Sequence, residues 1–156
     1  MRKSFSVQNK GVAEYTVLHI RKPNYFVHIQ KVVEILVCTK GHLYVSIGER
    51  FFRMNEGGIA VIAPYTQHSL YTPKDLDSEI CTVTIQSQDY ESCLKNAGMK
   101  KMSFYFENRI YKEEILHIAK NLRKEEFLNL GKPYILGMLS ISPYLNHRVN
   151  MLNHCV

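Results

Sequence analysis

The chain has 156 residues, an apolar fraction of 46% and a formal charge of +6, the profile of one folded domain with room for an appended subdomain rather than a disordered chain. No apolar run approaches the roughly 20 residues a membrane-crossing helix needs, and Met1-Arg2-Lys3 is not followed by the apolar core of a signal peptide, so the expected location is the cytoplasm, with no membrane partner. Cys38, Cys81, Cys93 and Cys155 stand apart without a C-x-x-C pair, which favours buried, reduced thiols over a zinc site or a disulfide framework.

The first 31 residues hold six basic side chains against Glu14 alone, so they carry most of the net charge. They read as a basic arm, either solvated or able to meet an acidic partner. From Tyr15 to Ile85 the chain is a succession of short β-branched and aromatic runs punctuated by turn residues, the pattern of an antiparallel barrel or sandwich. Strands are predicted at Tyr15–Ile20, Tyr25–Ile29, Val32–Cys38, His42–Ile47, Arg50–Met54, Ile59–Ala63, Gln67–Thr72 and Glu79–Ile85. Gly48-Glu49 predicts a tight hairpin, because glycine accepts positive φ. Asn55-Glu56-Gly57-Gly58 predicts a second turn, and Pro73 to Ser78 an exposed polar loop.

After Ile85 the period changes. A short helix is predicted over Asp89–Ala97, then an extended Met102–Phe106. Ile115, Ile118, Ala119 and Leu122 line one face of a helix predicted over Tyr111–Leu130. Gly131-Lys132-Pro133 ends it and starts another at Tyr134, running to about Ile141. That second helix is apolar on most sides, which points to a homodimer through Tyr111 to Ile141. The turn between the two helices has the outline of a helix-turn-helix. Pro133 to Leu139, however, offers no Arg, Lys, Asn or Gln to reach base edges, so this segment is not expected to read DNA.

Residues two apart on a strand share a face. His28 and Gln30 therefore look one way, Glu34, Leu36 and Cys38 form a second set, and His68, Leu70 and Thr72 a third. Glu34 is the most telling, since a carboxylate inside Val32-Val33-Glu34-Ile35-Leu36-Val37 is costly without a partner or water. Either histidine taken singly could be a hydrogen-bonded structural residue. Tyr44 points either into the barrel, where its ring could stack on a ligand, or out of it. The other histidines lack a second ligand at metal spacing. No G-x-S-x-G, P-loop or G-x-G-x-x-G occurs, so no catalytic residue is assigned and the protein is not expected to be an enzyme.

His28-x-Gln30-x-x-x-Glu34-Ile35-Leu36-Val37, Gly41-His42-Leu43-Tyr44-Val45 and Gly57-Gly58-Ile59-Ala60-Val61-Ile62-Ala63-Pro64-x-x-x-His68 together resemble the N-terminal sensing domain of AraC-type transcriptional regulators. Gln30 stands where a histidine is common in that pattern, and Ile59 where an aspartate is common. The resemblance implies a mainly β fold, a cupin-like double-stranded β-helix (jelly-roll barrel), with a C-terminal pair of α-helices. It implies a sensor barrel over residues 1–110 and a helical dimerisation subdomain over 111–156. The DNA-binding helix-turn-helix module of full-length members is missing from this sequence.

The expected partner is a small-molecule effector, a sugar or other small metabolite, held by His28, Gln30, Glu34, Tyr44, His68 and Thr72, with no cofactor. DNA would be reached through the missing module. The alternative is a stand-alone metal-dependent cupin enzyme, an oxygenase or isomerase, using His28, Glu34 and His68. In a cupin metal site one further histidine completes the set, and here Gln30 stands in its place, which weakens the site for a transition metal.

Overall fold

The computed structural model describes residues 6–7, 15–86, 91 and 103–123. In chain order these form strands β1 (Ser6–Val7), β2 (Tyr15–Arg21), β3 (Tyr25–Ile29), β4 (Val33–Lys40), β5 (His42–Ile47), β6 (Arg50–Asn55), β7 (Gly58–Ile62), β8 (His68–Tyr71), β9 (Glu79–Ile85) and β10 (Phe104–Glu107), and helix α1 (Lys112–Asn121). Two five-stranded sheets result, ordered β1-β3-β8-β5-β6 and β10-β7-β4-β9-β2. All pairings but one are antiparallel; β1 lies parallel to β3, with Ser6 opposite His28. This is the cupin-like jelly roll the sequence predicts.

Strand β4 explains why the fold has two cores. Seven of its eight residues are buried, so both of its faces must be covered. Leu36 and Cys38 point between the sheets, packed with Leu43, Val45, Met54, Ala60, Leu70 and Ile80. Val33, Ile35 and Val37 point the other way, into a cluster with Val61, Val83, Phe104 and the α1 residues Ile115 and Ala119. The period-2 alternation of a strand thus gives β4 a barrel face and a helix face. Strand β5 has only one covered face, and its burial alternates residue by residue.

Two glycines have positions that their neighbours dictate. Gly48 takes φ 60° in the two-residue hairpin that sets Ile47 opposite Arg50. Gly41 takes φ 67°, and a Cβ there would meet the Asp77 carbonyl oxygen at 2.7 Å, so only glycine lets the Pro73–Ser78 loop close against β4.

Strands β3, β5 and β9 have the predicted bounds, β2, β4, β6, β7, β8 and β10 differ by one or two residues at an end, and β1 is not among the predicted strands. Two predictions are corrected. The basic arm is not wholly free of the barrel, since Ser6–Val7 adds to the edge of β3. The helix predicted to run to Leu130 ends at Asn121. There Leu122 turns extended (φ −59°, ψ 125°), buries its side chain in the helix-side core, and gives its carbonyl to the His19 Nε2–H at 2.9 Å. That carbonyl is thereby tied to strand β2, and residues 124–130 of the predicted helix lie outside the described residues. The helices predicted over Asp89–Ala97 and Tyr134–Ile141 lie outside the described residues, apart from Glu91.

Candidate functional site

Four of the six predicted pocket residues meet at one end of the barrel interior. His28 on β3 and His68 on β8 are directly opposed in register, and their rings lie 4.2 Å apart. Glu34 enters from β4 on the facing sheet. Its Oε2 lies 3.0 Å from His68 Nε2 and 3.4 Å from the Gln30 amide nitrogen, which is itself 3.3 Å from His28 Nε2. Thr82, on β9, donates its hydroxyl to Glu34 Oε1 at 2.9 Å. His68 is 1% exposed and Glu34 7%, so this polar knot sits inside an otherwise apolar barrel.

The backbone around the knot orients both rings. A register shift in β3 between Tyr25 and His28 brings the Phe26 carbonyl within 2.8 Å of His28 Nδ1. On the other strand, Tyr65 takes φ 62° and its N–H binds the Gln30 carbonyl at 2.7 Å. The turn that results places the Thr66 carbonyl 2.8 Å from His68 Nδ1. A carbonyl only accepts, so each Nδ1 carries the proton, and each Nε2 is the atom turned toward the cluster. His28 Nε2 then accepts from the Gln30 amide. His68 Nε2 faces a carboxylate oxygen, and two lone pairs cannot share that gap; a proton or another cation must lie between them.

The charge balance agrees with the geometry. Burial alone pushes the Glu34 carboxyl upward, but the His68 hydrogen bond and charge, the Thr82 hydroxyl and the nearby His28 outweigh it and hold the group below its ordinary range. By contrast Cys38, on the same inward face of β4, donates its thiol to the Lys40 and Gly41 carbonyls. Burial pushes that thiol up to about 12, so it takes no part as a thiolate.

The pocket beside the knot is lined by Ile20, Tyr25, His28, Gln30, Glu34, Leu70, Ile80 and Thr82, and its volume is about 20 Å³. That is room for a water or an ion, since one water needs roughly 10–15 Å³ on this measure. His68 stands behind His28 and Glu34 rather than on the pocket wall.

The other two predicted residues lie elsewhere. Tyr44 faces out of the barrel between buried Leu43 and Val45, stacked on Phe51 at 5.6 Å and tilted against Tyr71. Thr72 sits past the end of β8, where its hydroxyl binds the Pro23 carbonyl and Ser78 and fastens the loop at the opposite end of the barrel. Thr82 is the site residue that the sequence reading missed. Its signal was a polar residue at an even position of β9, in step with Ile80, while Cys81, Val83 and Ile85 pack on the helix side.

Comparison with known proteins gives two findings. The family model described as an AraC-like ligand binding domain matches residues 14–126. Among solved structures, apo ToxT K231A from Vibrio cholerae strain SCE256 aligns with a TM-score of 0.61 at 12% identity, over 91% of this chain and 59% of that one. Wild-type ToxT with bound unsaturated fatty acid, from the same strain, aligns with a TM-score of 0.58 at 11% identity, over 96% and 59%. The chain thus spans about three-fifths of the length of these neighbours, and at such identities the likeness is one of fold. No curated protein matches.

Proposed function

The chain belongs to the family of AraC-like ligand-binding domains, and from that premise we propose that it is the effector-sensing and dimerisation part of an AraC-type transcriptional regulator, acting in the cytoplasm and not as an enzyme. The observation that carries the reading is the double use of β4. Glu34 reaches the pocket, while Val33 and Ile35 on either side of it pack in the core shared with Ile115 and Ala119 of α1. An effector that prefers one position of Glu34 therefore prefers one seating of the helix, which is the differential contact a population shift requires. The helix would pass this on to a dimer interface within Tyr111 to Ile141, and so to a DNA-binding module outside this sequence. Ile110 and Tyr111, exposed at 87% and 52%, begin that surface.

The pocket as it stands takes a small polar occupant. ToxT is known with bound unsaturated fatty acid, but about 20 Å³ holds neither a lipid chain nor a sugar without displacing Tyr25, Leu70 or Ile80. The rival reading, a metal-dependent oxygenase or isomerase, draws on the same His28, Glu34 and His68. It also needs space for a substrate beside the ion, and this pocket's volume is about 20 Å³.

Hydrogen exchange tests the coupling. A ligand that raises Tm is expected to slow exchange in α1 as well as in β4, and protection confined to the pocket strands would overturn the mechanism. Sedimentation tests the dimer: the intact chain should run as a dimer, and as a monomer once Ile110 and Tyr111 are both changed to Lys.

A further inference from the structure

We propose that the outer face of the β1-β3-β8-β5-β6 sheet is a stacking platform for single-stranded nucleic acid, with Tyr71, Tyr44 and Phe51 as the rings on which bases lie and Arg53 as the cation for a phosphate. The proposal does not rest on the sensor reading, because this face is turned away from the pocket.

The two sheets are covered differently. Helix α1 packs on the β4 side of the molecule through Ile115 and Ala119. On β5, by contrast, His42, Tyr44 and Ser46 alternate with buried residues, and Phe51 and Arg53 on β6 and Tyr71 on β8 are exposed. Register sets Tyr44 between Tyr71 on one neighbouring strand and Arg53 on the other. The Tyr44 ring is parallel to Phe51 with centroids 5.6 Å apart, and tilted to Tyr71 at 6.5 Å. Phe51 is 68% exposed and Tyr71 50%, so their faces are open to solvent rather than spent on one another. Aromatic surface gathered in this way on adjacent strands, with polar groups around it, marks a place of interaction.

Charge and shape choose the occupant. None of the five strands of this sheet contains Asp or Glu, and the whole chain carries +6, which draws a polyanion toward it. Arg53, whose guanidinium also reaches His42 Nδ1 at 3.3 Å, is the local cation for a phosphate and can stack on a base as well. A sugar would need acceptors for its hydroxyls, and no carboxylate is here to accept. A second copy would set one Arg53 against a face that lacks a counter-charge. The outward positions of β5, β6 and β8 also hold no aliphatic side chain, so flat rings are the apolar surface on offer. Every base has a π-face to lay on such a ring, whatever its sequence. A duplex hides those faces inside its own stack, so the fitting partner is an unpaired strand. The ring spacings exceed the roughly 3.4 Å rise of a stacked strand, so the bound strand is splayed, one base to a ring.

The test uses the whole chain with fluorescein-labelled oligothymidylate and oligouridylate, read by anisotropy at low salt beside a hairpin duplex. A single strand should bind, and the duplex about tenfold more weakly or worse. Tyr44→Ala and Phe51→Ala should each weaken the single strand about 5- to 150-fold, the range for losing one stacked base, whereas Tyr44→Phe should stay close to the wild type. Arg53→Ala should lower the slope of log affinity against log salt by about 0.7. Circular dichroism checks that each variant keeps its fold. Absence of binding by the wild type, equal binding of duplex and single strand, or wild-type affinity in the double variant Tyr44→Ala with Phe51→Ala overturns the proposal. So does oligoglutamate that binds as tightly as the oligonucleotides and is released by Arg53→Ala, which would make the face a dock for acidic protein. A fall from dimer to monomer in the double variant, in a chain that binds no oligonucleotide, overturns it in favour of an interface between copies. Loss of strand binding in the double variant, with the response of α1 exchange to a pocket ligand retained, supports the platform and leaves the sensor reading standing.

Discussion

Among the described residues, Glu34 and Asp77 are carboxylates gripped by two or more partners, and they sit at opposite ends of the barrel. Glu34 lies in the interior between His68 and Gln30, with Thr82 behind it. Asp77 lies at the surface between Arg21 at 2.9 Å and Lys40 at 2.7 Å. Both titrate below their ordinary range, so the direction of the shift does not tell a site from a clamp. Solvent does. Water screens Asp77 and its partners, and the pair of salt bridges closes a loop. Glu34 is buried, and each polar atom around it depends on another that is also buried.

The sharpest break in that comparison is His68→Ala. It leaves a buried carboxylate with its main partner gone, and a loss of about 3–5 kcal/mol is expected from urea unfolding. The double change Glu34→Leu with His68→Leu should recover wild-type stability or exceed it, because replacing a whole buried pair by apolar groups removes the desolvation cost. If His68→Ala were as mild as a surface change, the interior would be wetter than the geometry requires.

Next in size is Ile35→Ala, one residue from Glu34 but on the helix face of β4. Ile35 is 1% exposed, and truncation should cost about 2–5 kcal/mol through lost burial and the cavity left under α1. Ligand affinity, measured well below the unfolding transition, should fall as well, because the proposed coupling runs between the two faces of β4. Unchanged affinity would mean that the two faces do not communicate, and the effector-driven shift would lose its route.

The sequence made much of this legible, for reasons that also explain what it hid. Strand bounds follow where punctuation is chemical, as at Gly48-Glu49 between β5 and β6. The inward set of His28, Gln30, Glu34 and His68 follows from parity together with the cost of a charge in an apolar run. Parity does not say how far along the barrel a residue sits, so it groups Thr72 with His68. Four residues of strand are about 13 Å, enough to carry Thr72 to the loop end. Sequence alone leaves either face of β5 open to Tyr44; burial of Leu43 and Val45 directs it outward. Thr82 needed the β4–β9 register, which places it opposite Leu36 and so diagonal to Glu34, and a single strand does not encode its partner's register. Two residues of β1 carry no period at all.

The smallest effect belongs to the surface clamp. Hydrogen bonds from Arg21 and then Lys40 are what hold the Asp77 carboxyl below its ordinary range of about 4. A carboxyl depressed in the folded state binds its proton more readily when unfolded, so its stabilisation is present above that ordinary value and is lost as pH falls through the folded-state value. In Asp77→Asn the unfolding midpoint should accordingly fall slightly at neutral pH, lose part of its dependence on acid below about pH 4, and respond less to salt, because exposed pairs are screened. Ligand affinity should match that of the wild type, since Asp77 lies with Thr72 and Ser78 at the far end of the barrel. Were Asp77→Asn to weaken pocket binding strongly, the loop held by Gly41 and Asp77 would be part of the sensing device rather than its closure.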